Sequence, residues 1–311
     1  MTADTLPRLR SAYLAKPVLA ASTRRRLRPF LLLLPSLIFL GAFTYWPVAS
    51  VAVGSLFGRR LGEKTAAFAG LGNYLRLAAD PKFTTAALNN LVYIAATVLP
   101  SIALALAFAL MLQRSNRFTA TLRALLFFPT IIPLIGAAAL WTFLFLPTVG
   151  LIDYYIGRLV PLSINWLGNP DTALASIAMV TVWKNAGYYM LFYIAALQAV
   201  PQELIEAAVL DGAGAWQRLR HVVLPLLAPT TAFVAVIAVI QAITTVDHVI
   251  VMTKGGPDDA TNLLLFYIFQ TATELHDSGK AAAATVVTLV ALFAVSTVGI
   301  RVLERGGHYA D

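Results

Sequence analysis

The chain of 311 residues is 59% hydrophobic and only 12% charged, with a mean hydropathy of +0.76. A water-soluble domain of this composition would expose large apolar patches, so a soluble globular protein is excluded. The absence of cysteine excludes a disulfide framework, a thiolate metal site and a thiol nucleophile, and four scattered histidines make no metal site. The net charge of +8 does not indicate nucleic-acid binding, because the basic residues lie mainly at the ends of apolar runs.

The apolar residues form runs of about twenty or more, the length that crosses about 30 Å of hydrocarbon. We therefore expect an all-α integral membrane protein with about six transmembrane helices. The first run follows a basic cluster but is longer than a signal-peptide core and lacks a clear cleavage site, so we expect it to be retained. The predicted spans are Pro29–Val53, Leu88–Leu112, Leu122–Phe145, Thr172–Leu197, Leu226–Met252 and Ala281–Val302.

The distribution of basic residues predicts that both termini are cytoplasmic. With that orientation fourteen lie in inner segments: Arg8, Arg10, Lys16, Arg24, Arg25, Arg26, Arg28, Arg114, Arg117, Arg123, Arg218, Arg220, Arg301 and Arg305. Eight lie in outer segments: Arg59, Arg60, Lys64, Arg76, Lys82, Arg158, Lys254 and Lys280. The excess of positive charge inside is typical of membrane proteins. Residues 1–28 are expected to form a basic cytoplasmic tail, and residues 29–311 a single transmembrane domain.

Prolines inside the predicted spans indicate bent helices, because each removes a backbone donor. They are Pro35, Pro47, Pro100, Pro129 and Pro133. The pair Pro129 and Pro133 is the more suggestive of a pathway, although membrane helices also simply tolerate proline. The outer stretch Pro147–Pro170 is too short and too rich in glycine and proline to span, and we expect a loop with one interfacial helix.

Residues 200–225 interrupt the membrane pattern between spans four and five. Their composition predicts a short helix, a turn and a second short helix, with Pro201 suited to a first helical position. Glu203 and Glu206 lie near the positive end of the first helix dipole. Small alanines allow another protein to approach the backbone, and Gly212 permits the turn. A rigid helix protruding on the cytoplasmic side suits docking into a groove of a partner.

This segment resembles a known family. Glu206-Ala207-Ala208, then Gly212 after three residues, then Val222 and Leu224-Pro225, is similar to the coupling loop of membrane subunits in bacterial binding-protein-dependent ABC importers. The resemblance covers about Arg28 to Arg305. Further matches resemble importers of sugars and of glycerol 3-phosphate, of the maltose and glycerol-3-phosphate first-permease type. They are Trp183-Lys184, Ala196-Leu197-Gln198, Asp211-Gly212-Ala213-Gly214 and Thr253-Lys254-Gly255-Gly256-Pro257.

The resemblance implies a type I ABC importer permease in the bacterial inner membrane. Such a subunit forms the translocation pathway with a second, related permease, and an external binding protein delivers the solute. Two ATPase subunits bind ATP and Mg²⁺ and dock on the cytoplasmic loops, so this chain itself is expected to hold no cofactor, metal or catalytic residue. The residues implied for ATPase coupling are Glu203, Glu206, Ala207, Ala208, Asp211, Gly212, Leu224 and Pro225.

Polar residues inside the spans are the candidates for the substrate pathway. Helical spacing allows Thr181, Lys184, Asn185 and Tyr188 to face one side of span four. Span five offers Gln241, Thr244, Thr245 and His248 on a comparable face, with Asp247 nearer its outer end. Lysine in mid-span is costly in lipid and indicates a cavity or a partner, although snorkelling or structural pairing would also explain it. Hydrogen bonding between helices is an equal explanation for the span-five residues.

Two other classes of protein compete with the importer. A secondary transporter driven by an ion gradient needs membrane-embedded acids, but Asp153, Asp171 and Asp247 lie at or near predicted span ends. A membrane enzyme would use a polar cluster such as Glu274, His276 and Asp277, which is more typical of a solvated loop. No phosphate-binding G-x-x-x-x-G-K-[ST] sequence occurs, so nucleotide would bind another chain. The solute stays open between a neutral sugar and a phosphate ester, for which Lys184 would supply a cation.

Overall fold

The computed structural model describes residues 32–58, 67–114, 116–159 and 164–306. It divides the chain into two compact units, Met1–Val51 and Ala52–Asp311. The predicted basic tail, residues 1–28, lies outside the described residues. Nearly all regular structure is helical, as expected where lipid cannot hydrogen-bond to the backbone.

The first half of the chain contains six of the helices and a short hairpin. The helices are α1 (Leu32–Gly54), α2 (Gly72–Ala78), α3 (Pro81–Leu112), α4 (Arg117–Ile131), α5 (Leu134–Leu144) and α6 (Leu151–Leu159). The strands β1 (Phe57–Gly58) and β2 (Ala67–Phe68) pair antiparallel between α1 and α2. Helix α6 is the short helix expected in the loop before Pro170.

The second half contains seven more helices. They are α7 (Pro170–Gln198), α8 (Gln202–Leu210), α9 (Ala215–Leu226), α10 (Ala228–Thr244), α11 (Asp247–Met252), α12 (Leu264–Thr273) and α13 (Ser278–Gly306). The sequence analysis did not identify α12, whose ten residues are apolar but too few to cross a bilayer.

Three described helices, α1, α3 and α13, are long and apolar enough to cross a membrane, and two bent pairs raise that number to five. The bent pairs are α4 with α5 and α9 with α10. Helix α7 matches the predicted fourth span within two residues and has 29 residues, but its polar side chains keep it outside that group. An integral membrane protein is confirmed, and six crossings remain a prediction.

Proline ends α4 in the middle of the predicted third span. Pro133 disfavours helical geometry at the residue before it, and Ile132 accordingly has an extended backbone with ψ 129°. The chain then turns, so that α4 and α5 meet at 99°. Pro100, by contrast, lies inside the continuous helix α3, where no break occurs. The expected bend is therefore confirmed at Pro133.

The predicted fifth span, Leu226–Met252, is not one helix. Helix α9 meets α10 at 64°, and α10 ends at Thr244, where Thr245 is extended. Pro225 does not end α9, which runs on to Leu226. A π-helical turn, Leu219–Val223, lies directly before Leu224, whose N–H donates to the carbonyl of Leu219. This turn changes the hydrogen-bond spacing next to Pro225, which has no backbone N–H to donate.

Hydrogen bonds tie together α2, α3, α12 and α13 at the end of α3 that carries Asp80. The Asp80 carboxylate caps α3 and accepts hydrogen bonds from Tyr267 and Lys280. Arg76 donates to Asp277 across 2.6 Å. Burial alone would raise the pKa of Asp80, but these hydrogen bonds and that from the Lys82 backbone outweigh it, so the pKa lies below its usual value. The acids and bases that flank the spans thus stabilise helix packing.

The centre of the fold is the packing of α7 against α3 and α4. Buried aromatic side chains of α7, among them Tyr189 and Tyr193, fill the space beside the alanines of α3. Gly187 brings α7 against the backbone of α4, because a Cβ built on it would lie 1.8 Å from the carbonyl oxygen of Leu126. Only glycine allows this approach.

We predict that Gly187→Ala destabilises the chain, because its methyl group overlaps backbone that cannot move aside without separating α4 from α7. The free energy of unfolding should fall by about 1–3 kcal/mol, as in other overpacked cores. Gly136→Ala is the matched control, since a Cβ on that α5 glycine meets nothing within 4 Å. Thermal unfolding of the purified chain in detergent measures both. Equal unfolding temperatures for the two variants would contradict the close approach.

Candidate functional site: a polar cavity at two helix breaks

A cavity of about 300 Å³ lies among α3, α7 and α10, beside the break between α4 and α5 and the break between α10 and α11. Each break places the ends of short helices, with their free backbone groups, near the cavity. Polar side chains dominate its lining: Tyr93, Thr97, Ser101, Thr130, Thr181, Lys184, Asn185, Tyr189, Gln241, Thr245 and Asp247.

Most of the predicted pathway residues line this cavity, but Tyr188, Thr244 and His248 do not. Thr181, Lys184, Asn185, Gln241 and Thr245 are in the lining. Tyr188 instead packs on Phe192, with 5.1 Å between ring centroids, and its neighbour Tyr189 takes the place in the lining. Helical spacing permits either tyrosine, and the close contact at Gly187 fixes the rotation of α7 that selects Tyr189.

Thr244 is exposed away from the cavity, and its hydroxyl donates to the carbonyl of Ile240 in its own helix. Because α10 ends at this residue, the chain turns and presents Thr245 and Asp247 to the cavity instead. Gln241 and Thr244 lie three residues apart in the same helix, α10, so helical spacing allowed both to face the cavity. The structure places only Gln241 in the lining.

Sequence analysis missed the residues that α3 contributes. Tyr93, Thr97 and Ser101 line one side of the cavity and recur every four residues in an otherwise apolar span. That spacing places them on one face of a helix, and it was the signal available in the sequence. Thr97 donates to the carbonyl of Tyr93 in the preceding turn, so its own polar group is satisfied within α3.

Side-chain hydrogen bonds connect the helices that surround the cavity. The hydroxyl of Tyr93 lies 2.7 Å from Nε2 of His248 and 2.5 Å from Oγ1 of Thr181. His248 is fully buried, so a hydrogen bond at Nε2 offsets part of the cost of removing its ring from water. On α7 and α10, the hydroxyl of Tyr189 donates to Oε1 of Gln241 over 2.9 Å. These contacts join α3, α7, α10 and α11 around the cavity.

Lys184 occupies the break between α4 and α5. Its ammonium donates to the carbonyl oxygens of Pro129 and Thr130, each at 3.1 Å, and to that of Ile132. The hydroxyl of Thr130 donates in return to the carbonyl of Lys184 over 2.9 Å. The structural pairing that the sequence left open for this lysine is therefore present.

The segment between α7 and α10 folds as the predicted helix, turn and helix. Pro201 is the N-cap residue directly before α8, whereas the sequence analysis expected it to be the first helical residue. Helix α8 ends in a Schellman turn: the N–H of Ala213 donates to Ala208, the N–H of Gly212 donates to Val209, and Gly212 has φ +79°. Gly214 is the N-cap residue of α9, and its N–H donates to Oε1 of Gln217.

Glu203, Glu206, Ala207 and Asp211 are exposed on this segment, and Ala208 is half-buried. Large apolar side chains are exposed beside them, including Leu210 at 89% and Trp216 at 67%. We call the segment formed by α8 and α9, residues 202–226, the elbow. Exposed apolar side chains on its otherwise polar surface indicate a surface that another protein covers.

Comparison with known proteins assigns the family. Residues 101–306 match the family described as "Binding-protein-dependent transport system inner membrane component". This chain belongs to that family. The chain is thus a multi-pass inner-membrane permease subunit of an ABC importer, and the ion-gradient-driven alternative finds no support.

Individual relatives extend over nearly the whole permease. It is 30% identical to the probable ABC transporter permease protein YurN of Bacillus subtilis, with 91% of this chain and 98% of that protein covered. It is also 30% identical to the sn-glycerol-3-phosphate transport system permease protein UgpA of Agrobacterium fabrum, with 91% and 97% covered. A solved bacterial ABC transporter involved in import of the polysaccharide alginate shares the fold, with a TM-score of 0.76, 21% identity and coverage of 91% and 98%.

In the part of the chain that the structure describes, no side chains are grouped to hold a metal ion. Residues 32–58, 67–114, 116–159 and 164–306 contain no group of three or more histidine, aspartate and glutamate side chains placed to hold a metal ion. Within the small cluster considered for a membrane enzyme, Asp277 is paired with Arg76.

We predict that thiol labelling distinguishes the lining from its neighbours. Because the permease has no cysteine, single cysteines can be placed at Asn185 and Gln241, with Tyr188 and Thr244 as controls on the same two helices. In proteoliposomes the first pair should react with a water-soluble thiol reagent at least about tenfold faster, since a thiol reacts as the thiolate, which needs water. Equal rates at all four positions would contradict the cavity.

Proposed function

We propose that the permease carries a sugar or glycerol 3-phosphate-like solute through the cavity, together with a second, related permease. The relative UgpA is named for sn-glycerol-3-phosphate transport, and the alginate transporter for import of a polysaccharide. Hydroxyl and amide groups around a cavity suit solutes that are rich in hydroxyl groups, because each can donate and accept hydrogen bonds. The aromatic ring of Tyr189 adds an apolar face for a sugar ring.

The observation that carries this proposal is the exposed elbow formed by α8 and α9. We infer that α8 docks in a groove of an ATPase subunit. Two features support this: the Schellman turn at Gly212 fixes the angle at which the helix protrudes, and Leu210 and Trp216 give it apolar contacts. Arg218 donates to the carbonyl of Ala213 over 3.0 Å and stiffens the turn. A stiff elbow transmits displacement better than a flexible loop.

ATP and Mg²⁺ are proposed to bind two partner ATPase subunits, so that ATP hydrolysis is not an activity of this chain. The sequence holds no phosphate-binding loop of the P-loop type, which is consistent with this division. A binding protein outside the membrane is proposed to deliver the solute, and the family description refers to such a protein. The charge distribution supports an orientation with both termini and residues 200–225 in the cytoplasm.

In the proposed mechanism, the short helices on either side of each break move relative to one another. The break between α4 and α5 and that between α10 and α11 face the same cavity, and α10 connects through the 64° bend to α9 of the elbow. A displacement of the elbow by the ATPases would therefore reach the cavity through two helices in direct sequence. Short rigid helices joined at bends move as bodies, which is how alternating access works in other transporters.

We predict that Gly212→Pro uncouples transport from ATP hydrolysis while the chain still inserts in the membrane. Proline fixes φ near −65°, whereas this turn needs +79°, so the elbow must change its angle. ATP-driven uptake by proteoliposomes holding the complete transporter should fall by about fivefold to 150-fold, the usual range of a coupling free energy. The double variant Glu206→Ala with Ala208→Trp should act similarly by blocking the docking surface.

Gly214→Ala is the matched control, because that glycine has φ −67° and a Cβ there meets only the side chain of Gln217, at 3.7 Å. Its uptake should stay close to that of the unmodified transporter. Normal uptake by the Gly212→Pro transporter would count decisively against the proposed role of the elbow.

A further inference from the structure

The ammonium group of Lys184 is hydrogen-bonded to backbone carbonyls of the protein itself. An ammonium group has three N–H donors, and the three carbonyl oxygens of Pro129, Thr130 and Ile132 accept from it. No donor is left for a phosphate. The lysine therefore lines the cavity with its alkyl stem and a satisfied head group, although its type alone suggested a site for an anion.

The break in the third segment creates the need for this cation. The last four carbonyls of a helix lack the usual donor four residues further on. Pro133 has no N–H to donate to Pro129, whose carbonyl accepts a backbone hydrogen bond of 3.3 Å from Ile132 instead. Unpaired carbonyls are costly where lipid excludes water, and the end of α4 also carries the negative pole of the helix dipole. The ammonium of Lys184 donates to these carbonyls and places a positive charge at the negative end of the α4 dipole. Gly187, one turn further along α7, allows α7 to approach α4 closely enough for these contacts.

The remaining charge in the lining is negative. Asp247 begins α11 and lines the cavity, and its carboxylate makes no hydrogen bond or ion pair within the ranges that the structure describes. A carboxylate accepts hydrogen bonds from solute hydroxyl groups but repels phosphate. The other polar groups in the lining are neutral hydroxyls and amides.

We infer that Lys184 is a positioning residue that caps the break between α4 and α5, and that the cavity consequently selects an uncharged, hydroxylated solute over a phosphate ester. This inference rests on the proposed transport function.

The test uses the complete transporter in proteoliposomes with its own binding protein, and radiolabelled maltose, trehalose, glycerol and sn-glycerol 3-phosphate as probes. A neutral probe should enter on addition of ATP, and the phosphate ester should neither enter nor inhibit. Lys184→Met should lower the maximal uptake rate of the neutral probe by at least about tenfold, with the half-saturating concentration unchanged, because positioning and not solute binding is lost.

Lys184→Arg keeps a charged donor at the break and should restore about half or more of the maximal rate. Thr130→Val removes only the reciprocal hydrogen bond to the backbone of Lys184 and should have a smaller effect than Lys184→Met. This pair of variants separates loss of the cap from a general failure to fold.

Uptake of sn-glycerol 3-phosphate at a rate similar to the neutral probe would overturn the inference and leave the transport function intact. A rise in the half-saturating concentration of that ester in Lys184→Met would overturn it in the same way, because it would assign the ammonium to the solute. If none of the four probes enters with ATP, the proposed function itself fails, and this inference fails with it.

Discussion

A half-buried lysine whose ammonium is bonded to three backbone carbonyls is the contact on which the central part of this permease depends. A membrane-spanning helix cannot stop midway unless its free carbonyls find donors, because the surrounding lipid offers none. Lys184 provides them from the adjacent helix, and the carbonyls in turn make a lysine tolerable in an apolar span. The break at Pro133 and the charge at Lys184 therefore stabilise each other.

The cavity follows from that arrangement. Because α5 leaves α4 at 99°, the two helices do not fill the space beside α7, and the polar face of α3 borders the gap. The second break, at Thr245, turns Asp247 toward the same space. In secondary transporters the ends of broken helices hold a coupling ion. In this permease the ammonium of Lys184 holds that position at α4, which fits a transporter whose energy comes from a partner subunit.

Much of the fold could be predicted from sequence, because lipid imposes strong rules on composition. Apolar run length located α7 within two residues, whereas α3 begins at Pro81, ahead of the predicted Leu88. The predicted third and fifth spans are each divided into shorter helices. The elbow was predictable in more detail: Gly212 adopts a positive φ, and the helices on either side of it begin and end close to their expected positions. Local rules of capping and turn geometry decide such features, and they need no knowledge of the rest of the chain.

The cavity was predicted less well, for reasons that lie in tertiary packing. Tyr188 and Tyr189 are both compatible with helical spacing, and only the contact between Gly187 and the backbone of Leu126 selects the second. The sequence showed Lys184 to be unusual, but its partners are carbonyls, which no sequence pattern distinguishes from one another. The sequence analysis placed Asp247 near a span end, because no proline or glycine marks the break after Thr244.

Spin-label distances across the break test the central claim most directly. The permease has no cysteine, so labels can be attached to Leu125→Cys on α4 and Phe143→Cys on α5, which are 63% and 58% exposed. A pair at Leu88 and Leu104 within unbroken α3 serves as the control for general unfolding. We expect one narrow distance distribution across the break in the labelled parent and in Lys184→Arg, and a broader, shifted one in Lys184→Met with the α3 pair unchanged. An identical distribution in Lys184→Met would contradict the account.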